Sequence, residues 1–342
     1  MNVLTKTLTT DKGINYLNIG LMVLSAALAF YIPFHLFLFA YAVLGPLHYL
    51  TEMSWLQKRS FFIANKWDVI LFILISLAIT LSIKLVPKFG NYNTAFMISS
   101  LVFAVFSVFI KNNVLRFILI VVLFVFMASL KVDGMIVLIF LFSVLLPTLI
   151  HVYIFTGLFI FYGALKQKSA TGILSLVVFI LCSVFFFVYV PAGGQVVSAQ
   201  VQALFQDFKV MNHALLYMFN VGEYQSMPDI LSSHDKTLFN DPMAVAVMRF
   251  IAFAYCYHYL NWFSKTSVIK WHQVSRTRII IILVLWVISV ACYAYKYQLG
   301  FYVLFLLSMI HVMCEFPLNI QTIKGIGQEF GKMGKGKPVK KK

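Results

Sequence analysis

The chain reads as an all-α, polytopic integral membrane protein, and three observations predict that class. Hydrophobic residues make up 61% of the 342 residues. Charged residues make up only 11%, against roughly 25% in soluble domains. The apolar residues also fall in long runs between short polar breaks, many near the ~20 residues that a spanning helix needs. A helix satisfies its own backbone hydrogen bonds, so its outer face can lie against lipid.

The runs divide into about ten spans, near residues 14–31, 34–52, 68–86, 94–110, 114–131, 135–165, 171–191, 244–265, 277–295 and 299–318. The first two are separated only by Tyr31-Ile32-Pro33. The sixth is long for one crossing and contains Pro147, which removes a helical hydrogen bond, so a kink or protrusion is expected there. The first run opens a membrane domain rather than a cleavable leader. One transmembrane domain over 1–323 is predicted, followed by a basic cytoplasmic tail over 324–342, whose end GKMGKGKPVKKK (Gly331–Lys342) should lie loose beside anionic headgroups.

Lysine and arginine set the orientation. Twenty of the 27 fall in segments on the side of the N-terminus, and seven on the other. This asymmetry predicts cytoplasmic termini and a multi-pass protein of the cell's inner (plasma) membrane. The net charge of +16 is spread over loops and the tail, which argues against a nucleic-acid partner and for the lipid bilayer. Lys84, Arg116 and Arg249 sit near span ends and are expected to snorkel. Residues 192–243 become a long extracytoplasmic loop, with Asp207, Glu223, Asp229, Asp235 and Asp241. Its first part, VVSAQVQALFQDFKVMNHALLYMF, has helical apolar spacing. It reads either as a lid over a cavity or as a solvated connector.

Cys182, Cys256, Cys292 and Cys314 lie in apolar runs, at spacings that fit neither a zinc knuckle nor a disulfide framework. They read as small packing residues. No P-loop, GxSxG, HExxH or Rossmann fingerprint occurs.

The informative residues are polar ones at membrane depth, where ionisable groups are costly and mark function. Glu52 and Glu315 each follow a histidine by four residues, as His48-Tyr-Leu-Thr-Glu52 and His311-Val-Met-Cys-Glu315. That spacing places both side chains on one helical face. His151 and His258 lie inside two further spans. All four histidines fall about 12–16 residues from the outer ends of spans running in one direction, or roughly 18–24 Å deep at 1.5 Å per residue. They can therefore share one layer.

Four imidazoles at one depth suit iron, zinc or copper. Histidine ligands usually pass their second N–H to a carboxylate, which assigns Glu52 and Glu315 as acceptors behind the ligands. Asn261, one turn after His258, reads as its orienting partner. Iron held this way can bind dioxygen beside an apolar substrate. The aromatic residues Tyr49, Tyr153, Tyr255 and Trp262, together with Trp55, Tyr257 and Tyr259, would suit a long hydrocarbon as substrate-lining groups. Three other readings use the same residues. They can clasp helices together, bind haem through two facing histidines, or relay protons or ions in a coupled membrane transporter. His35, His213 and His234 sit at a span end or in the outer loop and enter none of these, and His272, in the basic inner loop KWHQVSR, reads as a headgroup contact.

Four short patches resemble the Brp/Blh-type membrane β-carotene 15,15′-dioxygenases. Gly45-Pro46-Leu47-His48 with Glu52 resembles that family's Pro-His-x-x-x-Asp motif. Leu149-Ile150-His151 resembles its mid-chain Ile-His motif. Tyr257-His258 through Trp262 resembles its later His-rich helix, and Ile310-His311 with Glu315 its C-terminal His-x-x-x-Asp. Glu replaces Asp twice, Pro46 stands one residue further from its histidine, and Trp262 occupies the place of the family's second helix histidine. The resemblance implies a non-haem Fe(II) held by His48, His151, His258 and His311. It also implies oxidative cleavage of a polyene such as a carotenoid, with retinal as the family's product.

Overall fold

The computed structural model describes residues 10–63, 65, 67–84, 93–129, 140–219, 236–265, 270 and 273–334. All regular structure in them is helical. In chain order the helices are α1 (Asp11–Tyr31), α2 (Pro33–Lys58), α3 (Asp68–Lys84), α4 (Asn93–Phe109) and α5 (Asn113–Ser129). Helix α6 is wound as a π-helix over Phe140–Phe155 and continues as an α-helix over Thr156–Gln167. Then come α7 (Ala170–Val188), α8 (Ala199–Leu204), α9 (Lys209–Met218), α10 (Lys236–Asn240), α11 (Pro242–Ser264), α12 (Arg276–Tyr295) and α13 (Tyr297–Gly334).

Seven of the described helices, α1, α2, α6, α7, α11, α12 and α13, are long and apolar enough to cross a membrane. Helices α3, α4 and α5 coincide with three more of the expected spans but have 17 residues each. At about 1.5 Å per residue, 17 residues reach ~25 Å, short of the ~30 Å hydrocarbon layer.

Local chemistry sets the helix starts. Thr10 accepts from Gly13 N (3.1 Å) ahead of α1. Ser169 accepts from Gly172 N (3.1 Å) ahead of α7. Asp241 accepts from Met243 N (2.8 Å) and Ala244 N (2.9 Å) ahead of α11. Each satisfies amides that a helix start leaves unpaired.

Helix α11 is the axis of the bundle: 89% of its apolar window is buried, against 17% for α12. It packs against α1, α2, α6 and α7, while α13 packs against α2, α3, α4, α6 and α12. The outer helices turn Ile and Val outward, as Ile280, Ile281, Val284, Val287 and Ile288 do on α12. Such faces suit lipid.

Proline shapes two of the helices that matter. In α2 the residues Ala40–Leu44 form a π-turn, with Gly45 N donating to Ala40 O, immediately before Pro46. Pro46 has no N–H to give to the preceding turn, and the wider turn absorbs the fault. One extra residue rotates everything downstream by about 100°, including His48 and Glu52. Pro147 lies within the π-helical part of α6, four residues before His151.

Several expectations are corrected here. The segment expected to lie loose from Gly331 is helical over its first four residues, because α13 continues without a break to Gly334, and 335–342 lie outside the described residues. Arg116 does not snorkel. It is 1% exposed and paired with Asp68 at 2.5 Å, and it also donates to Asn113. Arg249 donates from Nε to Phe30 O (2.9 Å) and lies over the Phe30 ring, so it closes the end of α1 inside the protein. Between α7 and α11 the described residues 195–219 are packed rather than merely solvated. Val201, Phe205, Phe208, Leu215 and Leu216 are buried in the same core cluster as Phe34, Phe37, Tyr41 and Phe239, plugging one end of the bundle with aromatic rings.

Candidate metal centre

Four helices each deliver one histidine to the middle of the bundle: His48 from α2, His151 from α6, His258 from α11 and His311 from α13. All four are buried. Their rings close a circuit, with centroid separations of 4.7 Å (His48–His258), 5.1 Å (His258–His151), 5.1 Å (His151–His311) and 4.8 Å (His311–His48). A metal–nitrogen bond of about 2.0–2.1 Å, plus ~1.1 Å from nitrogen to ring centre, puts neighbouring centroids of a four-imidazole shell about 4.5–5.3 Å apart. All four separations fall in that range.

The hydrogen bonds leave ligand positions open. Thr156 Oγ1 donates its single proton to Val152 O (2.8 Å) and lies 2.7 Å from His258 Nδ1. Toward His258 it can therefore only accept, which puts the imidazole proton on Nδ1 and a lone pair on Nε2. That Nε2 has no hydrogen-bond partner, and neither do His48 Nδ1 and Nε2, His151 Nδ1 or His311 Nδ1. Buried polar atoms without partners are rare and costly, and here five ring nitrogens lack them within one cluster. The donor set and the orphaned nitrogens fit a transition-metal ion.

The two glutamates lie among the rings. Glu52 Oε2 is 3.1 Å from His48 Nε2 and 3.0 Å from His311 Nε2. Glu315 Oε2 is 3.5 Å from both His151 Nδ1 and His311 Nε2. Glu52 thus hydrogen-bonds His311 and stands beside His48, whereas Glu315 Oε2 has no hydrogen-bond partner and stands between His151 and His311. The groups His48–Glu52–His311 and His151–His311–Glu315 each bring three ligand atoms within 4.8 Å of one another. The carboxylates are placed to ligate directly as well as to orient, and when ionised they contribute two negative charges that a divalent cation neutralises.

The remaining predicted residues divide. Tyr49 stacks near His311 (4.9 Å) and shares a hydroxyl–hydroxyl bond of 2.9 Å with Tyr259. Gly45 permits that bond, because a Cβ there would stand 3.1 Å and 3.2 Å from the two hydroxyl oxygens. Trp262 meets the His48 ring edge-on (5.8 Å), and its Nε1–H donates to Thr51 Oγ1 (3.0 Å).

Three assignments are corrected. Asn261 does not orient His258, since Thr156 from α6 holds that ring's Nδ1. The Asn261 amide oxygen instead accepts from Tyr257 (3.5 Å). Tyr153 is turned toward Phe179 (4.6 Å) and Phe250 (5.0 Å), because two residues beyond His151 is nearly the opposite side of the helix. Tyr255 packs one layer away, against Phe37 (5.1 Å) and Tyr41 (6.3 Å). His35 is exposed, and His234 and His272 lie outside the described residues.

Thr156 and Thr51 are the residues that sequence reasoning missed. Their signal was a hydroxyl inside an apolar run. In each, the hydroxyl also bonds its own helix, Thr156 to Val152 O and Thr51 to Leu47 O (2.7 Å). The chain matches no protein-family model, no curated protein and no solved structure.

Proposed function

We propose that the protein is a membrane-embedded non-haem iron oxygenase that cleaves or oxygenates an apolar polyene or similar lipid with dioxygen. The observation that carries this reading is the closed circuit of four buried imidazoles with five unpartnered nitrogens. The choice of iron rests on the motif resemblance and on the affinity of imidazole for such metals. His48, His151, His258 and His311 would hold the ion, with Glu52 and Glu315 completing or orienting the shell. Bound iron would supply open positions for dioxygen.

The protein's own groups do the rest. Thr156 holds the His258 proton on Nδ1 and so leaves the lone pair on Nε2. Glu52 hydrogen-bonds His311 Nε2 (3.0 Å) and so fixes α2 against α13. Trp262 and Tyr49 pack against the His48 and His311 rings. The location proposed is the cell's inner membrane with both termini cytoplasmic, supported by the twenty-to-seven distribution of basic residues.

Metal analysis of the purified protein tests the reading. About one iron per chain is expected, lost in His151→Ala and His311→Ala while expression stays similar. In a bacterium that accumulates β-carotene, the wild type should bleach the cells and yield retinal if the substrate is that carotenoid. A wild type that retains no metal overturns the oxygenase reading. The proton- or ion-coupled transporter, using the same buried His and Glu residues, would then replace it. Reporter fusions at Gly222 and at the C-terminus should report opposite sides, and agreement between them would refute the proposed topology.

A further inference from the structure

A cavity of ≈ 400 Å³ opens at one end of the bundle and reaches His48, His258, Glu52 and Glu315 at its floor. Its walls are apolar and aromatic, with Trp55, Phe159, Ile160, Trp262 and Leu318 among them. Three cations line it: Arg59, Lys166 and Lys265. Each lies over an aromatic ring of the same cavity. Arg59 is 4.0 Å from the Trp55 centroid, Lys166 5.8 Å from Tyr162 and Lys265 5.6 Å from Phe159. Such contacts tether the cations to the cavity wall. Apart from Glu52 and Glu315 among the histidines, one acid lines the cavity, Asp11, so the mouth keeps a positive excess.

An apolar pocket with a few convergent charges is the usual form of a ligand site, the charges fixing orientation. Lys265 interacts with Glu52 and Glu315, and a hydrocarbon without a headgroup has no use for the other two cations, Arg59 and Lys166, whereas an acid does. The space holds on the order of a dozen water-sized atoms, at about 30 Å³ each. That accommodates a medium-length chain or one end of a longer one. The geometry points to an amphiphile with an anionic headgroup, its head at Arg59 and Lys166 and its chain running along Trp55 and Trp262 toward the histidines. This deepens the oxygenase reading by naming the substrate class, and its chemical use of that ligand rests on that reading. Two sources share the chemistry: a free long-chain carboxylate and the headgroup of an anionic phospholipid.

Tryptophan quenching tests the inference without any turnover. The full-length protein is placed in phosphatidylcholine nanodiscs and titrated with bromododecanoate or with bromododecanol. The acid should quench saturably and bind at least about tenfold more tightly than the alcohol. The double variant Arg59→Gln/Lys166→Gln should weaken the acid about tenfold, the size expected of two exposed charge contacts, and leave the alcohol unchanged. Arg59→Lys/Lys166→Arg should restore the acid. Trp55→Phe/Trp262→Phe should remove most of the saturable quenching.

A second arm incorporates phosphatidylglycerol with brominated chains. Saturable quenching by this lipid, competed by dodecanoate, assigns the headgroup source, and quenching by the free acid alone assigns the carboxylate. Equal binding of acid and alcohol, no effect of the charge-removing pair, or quenching that survives loss of both tryptophans overturns the inference. Acid binding by a protein without iron would sink the oxygenase reading and leave the amphiphile site standing. Iron retention without acid preference would do the reverse.

Discussion

Thr156→Ala removes the hydroxyl that accepts from His258 Nδ1, at 2.7 Å, in a place where Thr156 is 1% and His258 6% exposed. Two responses are open to the imidazole. It can keep its proton on Nδ1 and leave a buried donor unpaired, at about 1–3 kcal/mol. Or it can move the proton to Nε2, which takes up that nitrogen's lone pair. Each route weakens metal binding. With 1.4 kcal/mol per factor of ten, the first corresponds to roughly 5–150-fold. That range overlaps the 10–100-fold typical of partners behind metal ligands. Competition against a chelator, with iron content read by mass spectrometry, gives the affinity directly. Thr156→Ser keeps the hydroxyl and loses only a methyl, so it should stay close to wild type. Should Thr156→Ala bind metal within about twofold of wild type, or should Ser fall as far as Ala, the assignment of Nε2 as a ligand is wrong.

Other outcomes follow from the same geometry. Glu52→Gln should cost about 10–100-fold in metal affinity, because one carboxylate oxygen serves both His48 and His311. Glu315→Gln, with its longer contacts of 3.5 Å, should cost less, and chelator competition ranks the two. Asp68→Asn strands the buried Arg116 guanidinium and should lower stability by about 3–5 kcal/mol, read as a fall in the melting temperature in detergent with metal content per folded chain unchanged. Ser60 is exposed with φ 50 in a left-handed turn. Ser60→Gly should therefore raise stability by ~1 kcal/mol, and a lower melting temperature would refute that account.

Much of the molecule was legible because a bilayer imposes one rule on every span. Apolar runs had to be helices, and most of their ends were recovered to within a few residues, whereas the last helix runs to Gly334, well past the apolar run that ends near 318. The helices α3, α4 and α5 show the limit of that rule. Their composition says lipid, but the 17 residues of each sit at the lower edge of spanning length, where hydropathy alone cannot decide. Arg116 marks a second limit. Its place near a span end suggested snorkelling, and only the approach of Asp68 from a different helix makes burial affordable. That partner lies 48 residues away in the chain, beyond any local pattern.

The histidine cluster was legible for a different reason. Helical periodicity puts His48 with Glu52 and His311 with Glu315 on common faces, and residue counting puts four histidines at one depth. Depth constrains only one coordinate. The angular coordinate depends on the π-turn before Pro46 and the π-helix around Pro147, each of which re-phases a helix just upstream of a histidine. The prolines are visible in the sequence, but the sign and size of the rotation are not. The same blindness explains the Asn261 error. An offset of three suggested a partner within α11, while the actual partner, Thr156, comes from α6 and is selected by packing. Local spacing found the groups that share a helix, and the contacts that choose a tautomer run between helices. An ion bound at this cluster would therefore tie α2, α6, α11 and α13 together at one point. Its loss should loosen all four helices together, since no single one of them holds the complete set of ligands.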